Sequence, residues 1–261
     1  MQMARFFPHL IFFCMTVITI GLYGKSDDNP PICSICLQVL IGEYSVDAWQ
    51  NPFHTHHENN GIFCNSCSRI ISQGITQGGF RYTDGRHLCS LCQVSVVEDD
   101  STIYVSYASV MMQLERVGIR EVLGNIPIEL INLIEMNETF GQSHGNLKGF
   151  THTNHNNGTQ PPYTIFMLSG LPRIEFEAIL AHELLHVWLH QNKITLSLAS
   201  TEGFCNLGSY LIYKNDNTQF SNIHINAMAT SKDQVYGKGF RKMKAQLAKL
   251  GWRKLIAHLS H

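Results

Sequence analysis

Ala181-His182-Glu183-Leu184-Leu185-His186-Val187-Trp188-Leu189 is the stretch on which the reading of this chain turns. Between Pro172 and Gln191 no Gly or Pro intervenes, and Ile174, Phe176, Ile179, Leu180, Leu184, Leu185 and Trp188 cover most of a helical circumference. That pattern predicts a helix from Pro172 to about Gln191, buried nearly all round. His182 and His186 stand four residues apart, so their imidazoles leave one face of the helix about one turn apart and can share a metal ion, with Glu183 beside them. The bland alternative, two core histidines and a solvated Glu, leaves Glu183 unpaired in a buried helix, which is costly.

Working outward, Pro161-Pro162 opens the apolar run Tyr163 to Leu168, which reads as a buried strand, and Gly170-Leu171-Pro172 turns it into the helix. A catalytic metal needs a third protein ligand and an open position. Glu202 is the first candidate: fifteen residues separate it from His186, and the apolar run Leu207 to Tyr213 after it predicts a second buried helix able to face the first. His190, His224 and His144 are alternative third ligands. Farther on, Lys238 to Lys254 holds seven basic residues and no acidic one, with Phe240, Met243, Leu247 and Leu250 at helical spacing. An amphipathic helix with a solvated basic face accounts for it.

Upstream lies a different chemistry. The chain has 14 His and 8 Cys, both binders of borderline metals. Six of the Cys form three CxxC pairs, Cys33 with Cys36, Cys64 with Cys67 and Cys89 with Cys92, and His54 with His57 repeats the gap. Each pair puts two donors on one tight turn, so two pairs close a tetrahedron around Zn2+. The sequential assignment is Cys33, Cys36, His54 and His57 for one structural zinc and Cys64, Cys67, Cys89 and Cys92 for another, with His56 as a substitute for His57. Disulfides are the competing reading, but three small CxxC rings around an HxxH lack the βαβ setting of a redox motif. Gly78-Gly79-Phe80-Arg81-Tyr82 suits a short hairpin strand.

The first 24 residues read as an export signal or anchor: Arg5, an apolar stretch from Leu10 to Leu22, then a polar run. The apolar part is shorter than the roughly 20 residues of a spanning helix. An exported protein is expected, periplasmic or extracellular, or membrane-associated through this segment if it is retained. With a net charge of -1 and only 15% charged residues, the chain has no global footprint for nucleic acid and too little charge for a disordered tail. Three segments follow: 1–24, a double zinc module over 30–97, and a domain over 101–261 carrying the HExxH motif.

The cysteine module resembles a LIM domain, whose pattern has two Cys, about 17 residues, then His; the gap from Cys36 to His54 matches. His57 stands where such domains carry Cys, and six residues rather than two follow it before Cys64. The helix, loop and second helix carrying Glu202 resemble the gluzincin peptidases. Together with Thr201-Glu-Gly-Phe-Cys205 and Val235-Tyr-Gly-Lys-Gly-Phe-Arg241, they make the chain similar to the LIM-containing zinc peptidases of the DA-one type, known as plant growth regulators, and their microbial relatives.

That resemblance implies an α+β fold, a small zinc-stapled LIM-like module followed by a gluzincin-like peptidase domain. It implies one catalytic zinc on His182, His186 and Glu202 beside two structural ones, and a protein or peptide substrate. The expected reaction is hydrolysis of a peptide bond by metal-activated water with Glu183 as general base. Tyr236 and Arg241, in the family-like segment, are candidates for oxyanion stabilisation. The strand Tyr163 to Leu168 is expected to lend its edge to an extended substrate. A non-catalytic LIM-like scaffold is the alternative function.

Overall fold

The computed structural model describes residues 30–120, 122, 126–140, 147–154 and 162–259. The signal-like segment and His144 lie outside them. The fold is α+β, and the described residues fall into two compact units that divide between Val96 and Val97.

The first unit is built on a repeated turn. In Cys33-Ser-Ile-Cys36 and again in Cys64-Asn-Ser-Cys67, the residue after the second Cys takes a left-handed conformation, Leu37 at φ 62° and Ser68 at φ 58°. Its N–H donates to the carbonyl of the first Cys, at 3.0 Å from Leu37 and 2.9 Å from Ser68. Single bridges, Ile32 with Val39 and Phe63 with Ile70, close both loops. Each loop leads on to a small hairpin, β1 (Tyr44–Val46) with β2 (Pro52–His54), and β3 (Gly79–Arg81) with β4 (His87–Cys89). Short helices α1 (Gln73–Thr76) and α2 (Ser90–Gln93) flank the second hairpin, and β5 (Val96–Val97) ends the module. The expected strand over 78–82 is β3.

Two polar side chains, the buried Asp47 and the half-buried Trp49, lock the two halves of the module together. Asp47 accepts from the N–H groups of Trp49 and Asn51 through one oxygen and from Ile70 N–H, 2.9 Å away, through the other. Trp49 Nε1 donates to Cys67 O at 2.7 Å, while the Arg69 guanidinium lies 3.5 Å above the Trp49 ring. The partners that join the halves, Ile70, Cys67 and Arg69, lie about twenty residues away, so no local pattern announces them.

The second unit opens with α3 (Asp100–Val117), started by a capping box between Asp99 and Thr102 and stopped by Gly118 at φ 100°. A three-stranded sheet follows, with α4 (Leu133–Phe140) between its first two strands. β6 (Ile128–Ile131) and β7 (Gly149–Thr153) flank β8 (Tyr163–Leu168), which runs parallel to β6 and antiparallel to β7. The strand Tyr163 to Leu168 is therefore central and has no free edge. Its continuous apolar run is the mark of a strand buried in the middle of a sheet rather than at its rim. Among the described residues, the edge on that side belongs to β7.

After β9 (Leu171–Pro172) come α5 (Arg173–Gln191), α6 (Leu198–Asp216), α7 (Gln219–Thr230) and α8 (Tyr236–Leu259), the last kinked at Gly251. All of α5 from Glu175 to Leu189 is buried, as its all-round apolar pattern requires. Helix α6 lies against α5 on one side and α8 on the other, and small residues set both distances. A Cβ on Gly203 would stand 2.3 Å from Gly239 O, and one on Gly239 would stand 2.1 Å from Ala199 O. Among the described residues no helix is long and apolar enough to cross a membrane.

Candidate metal centres and active site

Three groups of metal-binding side chains converge among the described residues, each with its donor atoms within 4.8 Å of one another. Cys33, Cys36, His54 and His57 form the first, and Cys64, Cys67, Cys89 and Cys92 the second. A disulfide holds its sulfurs about 2.0 Å apart, whereas tetrahedral Zn–S bonds near 2.3 Å place them about 3.8 Å apart. Cys67 Sγ and Cys89 Sγ are 3.7 Å apart, and all six cysteines of the module are free thiols. Backbone N–H groups point at the sulfurs, Ile35 at Cys33 and Cys89 at Cys64, as ligand thiolates require.

Four buried thiols in such contact cannot all ionise without a cation among them. The sulfurs accordingly pull one another apart in acidity. Cys64 is held down at about 7, first by the Cys67 thiol, while Cys92 is pushed far up, first by Cys64. In the first group, burial pushes the Cys33 thiol up, but hydrogen bonds from the backbone of Cys36, His54 and Ile35 outweigh it and hold it at about 6. His54 offers Nδ1, 3.4 Å from Cys36 Sγ. His57, rather than His56, joins the group. Its Nδ1 meets Asn60 Oδ1 at 3.1 Å, which fixes Nδ1 as the protonated nitrogen and leaves Nε2 as the donor.

The third group lies in the second unit. Helix α5 carries His182 and His186 one turn apart, and their Nε2 atoms are 3.0 Å from each other. From α6, Glu202 Oε2 comes within 3.4 Å of His182 Nε2 and 3.6 Å of His186 Nε2. An ion with bonds of about 2.0–2.1 Å to three corners of a tetrahedron separates them by about 3.3 Å, so the triangle has the size zinc needs. His182, Glu183 and Glu202 are fully buried, and His186 is the member that reaches the surface, at 9%. Two carboxylates in so dry a place call for a compensating cation. The residues thus fit zinc by both distance and charge.

Two residues of this site escaped the sequence reading. Asn206 Oδ1 accepts from His182 Nδ1 at 3.1 Å, which sets the tautomer and leaves Nε2 free to face the metal position. It stands four residues after Glu202, and that spacing on one helix face is the signal that could have found it. Cys205 Sγ, rather than a Glu202 oxygen, is the third donor that converges within 4.8 Å of the two imidazoles, and Glu202 stands beside that group through its 3.4 and 3.6 Å approaches. Burial pushes its thiol well up, with the charges of Glu202 and Glu183 adding to the effect, so it stays a neutral thiol beside the carboxylates.

The alternative third ligands fall elsewhere. His190 Nδ1 pairs with the Tyr163 hydroxyl at 2.7 Å, and His224 stacks on Tyr213 with ring centroids 5.0 Å apart. Neither belongs to a converging donor group. Arg241 differs from its expected role: Nη1 donates to the carbonyls of Ala229 and Ser231, closing the end of α7. Tyr236 starts α8, its N–H donating to Asp233 Oδ1 at 2.6 Å. The segments Thr201-Glu-Gly and Tyr236-Gly-Lys-Gly-Phe-Arg241 meet at Gly203 and Gly239, so part of their pattern is the packing that holds Glu202 in place.

Residues 126–218, from the approach to β6 to the end of α6, match the family model described as DA1-like, Protein DA1. The chain is 23% identical over 307 residues to Protein DA1-related 2 of Arabidopsis thaliana, covering 88% of this chain and 57% of that protein. Against the LIM domain-containing protein HDR3 of Oryza sativa subsp. japonica it is 23% identical over 309 residues, covering 88% and 60%. Protein DA1 of Arabidopsis thaliana gives 23% over 301 residues, covering 88% and 56%. The chain therefore spans somewhat over half the length of these curated relatives. No solved structure matches it. The DA1-like likeness covers the HExxH helix and Glu202, and the LIM-domain name of the rice relative agrees with the two Cys/His clusters.

Proposed function

We propose that the protein is a zinc-dependent peptidase, with His182, His186 and Glu202 as metal ligands, Glu183 as general base, and a LIM-like module carrying two structural zinc ions. The observation that carries this reading is the triangle of His182, His186 and Glu202 donors around one point, with Glu183 next to it on α5. Zinc held there supplies a Lewis acid that activates water and polarises the peptide carbonyl. The chain's own residues do the rest. Glu183 takes the proton of the attacking water and delivers it to the leaving amine as the C–N bond breaks. Asn206 holds His182 in the tautomer that faces the metal.

Because β8 is enclosed, the strand offered to an extended substrate is β7, which lies against α5 beside Glu183. A main chain added to that edge brings a peptide carbonyl alongside the base. Tyr236 is the proposed phenol for the developing oxyanion. The test is cleavage of unfolded proteins and peptide libraries, read by mass spectrometry. Cleavage that stops on mild chelation and returns with one equivalent of zinc supports the proposal. Cleavage indifferent to chelation, with the third zinc gone, overturns it.

A further inference from the structure

The base of this site is held from the sheet. The Thr151 hydroxyl, on β7, lies 2.7 Å from Glu183 Oε2, its nearer acceptor, and 3.2 Å from the Glu183 carbonyl. Two residues earlier on the same face of β7, Gly149 leaves the room the side chain occupies. A Cβ there would come within 3.0 Å of Glu183 Oε1 and 3.2 Å of its Cγ. The carboxyl group is thus laid along the strand between Gly149 and Thr151, with Oε2 bound by the hydroxyl. Its other oxygen, Oε1, is buried without a hydrogen-bond partner.

We infer that Thr151 is a positioning residue for the base: its hydroxyl fixes Oε2 and so keeps Oε1 as the oxygen that receives the proton. This rests on the peptidase reading above. A β-branched side chain on a paired strand suits the task, because its χ1 is restricted and the hydroxyl cannot wander. Since β7 is also an edge strand of the sheet among the described residues, the strand that would receive a substrate is the strand that orients the base. One element then sets the distance between the peptide carbonyl and Oε1.

Three variants test it. Thr151→Val keeps the branched shape and removes the hydroxyl, and Thr151→Ser keeps the hydroxyl and removes the methyl. With bound zinc unchanged, Val should lower kcat by about tenfold to a hundredfold, the scale of a misplaced catalytic group, with KM held, and Ser should recover most of the loss. Thermal stability of the zinc-loaded protein supplies a readout free of turnover: Thr151→Val and Glu183→Ala, which each remove the contact, should be non-additive in a double-mutant cycle. A Val variant as fast as wild type, Val and Ser variants equally slow, or an additive cycle each overturns the inference. A wild-type protein that cuts nothing while the cycle remains non-additive overturns the peptidase reading and leaves the Thr151–Glu183 contact standing.

Discussion

Glu202 and Asn206 sit one turn apart on α6 and act on the same imidazole, one as a donor to the shared metal position and the other through the far side of the His182 ring. Replacing each should therefore weaken zinc in different degrees. Glu202→Ala removes a ligand, and the expected signature is the loss of one zinc per chain with the other two retained, measured by elemental mass spectrometry. Asn206→Ala removes an orienting partner and should cost about 10- to 100-fold in affinity for that zinc, read by competition with a chelating dye. Equal affinity in Asn206→Ala would mean that packing alone holds the ring. At this scale the spacing of donors was legible, because knuckles and HExxH are local patterns. Thr151 and Cys205 were not. Thr151 lies 32 residues from Glu183, and no short-range pattern records which strand a helix will rest upon.

At the scale of elements, α5 and α6 follow from their apolar runs and β8 from its six-residue apolar run, but the edge expected of β8 belongs to β7. What the sequence left hidden was the partner of each. Both neighbours of β8 come from segments earlier in the chain, and β7 ends in the polar pair His152-Thr153, which gives no local strand signal. The crossing of α6 and α8 is the other long-range fact, and it makes a prediction. In Gly203→Ala the new methyl would stand 2.3 Å from Gly239 O, so the helices must separate. Overpacking of this kind costs about 1–3 kcal/mol, and calorimetry should find a lower Tm. The shift of α6 should also carry Glu202 away from the imidazoles, so the same variant should bind the third zinc more weakly. Unchanged zinc affinity would separate the packing of α6 from the placement of Glu202.

For the whole molecule, two units of different construction hang on one chain. The first has a small apolar core around Cys33, Leu40, Phe53 and Ile70, and on the zinc reading its order is expected to depend on bound metal. The second has a large core, which should persist without zinc. Mild chelation is expected to take one zinc first and leave helical content unchanged, because three protein ligands release an ion more readily than four. Loss of all three together would contradict that order. The central claim is narrower than any of these, and Glu183→Gln tests it most directly. The amide keeps the size of the side chain but cannot accept the proton, so three zinc ions per chain should remain while cleavage falls by about 10² to 10⁴-fold. Cleavage at the wild-type rate, in a preparation with three zinc ions and no contaminating peptidase, would contradict the account.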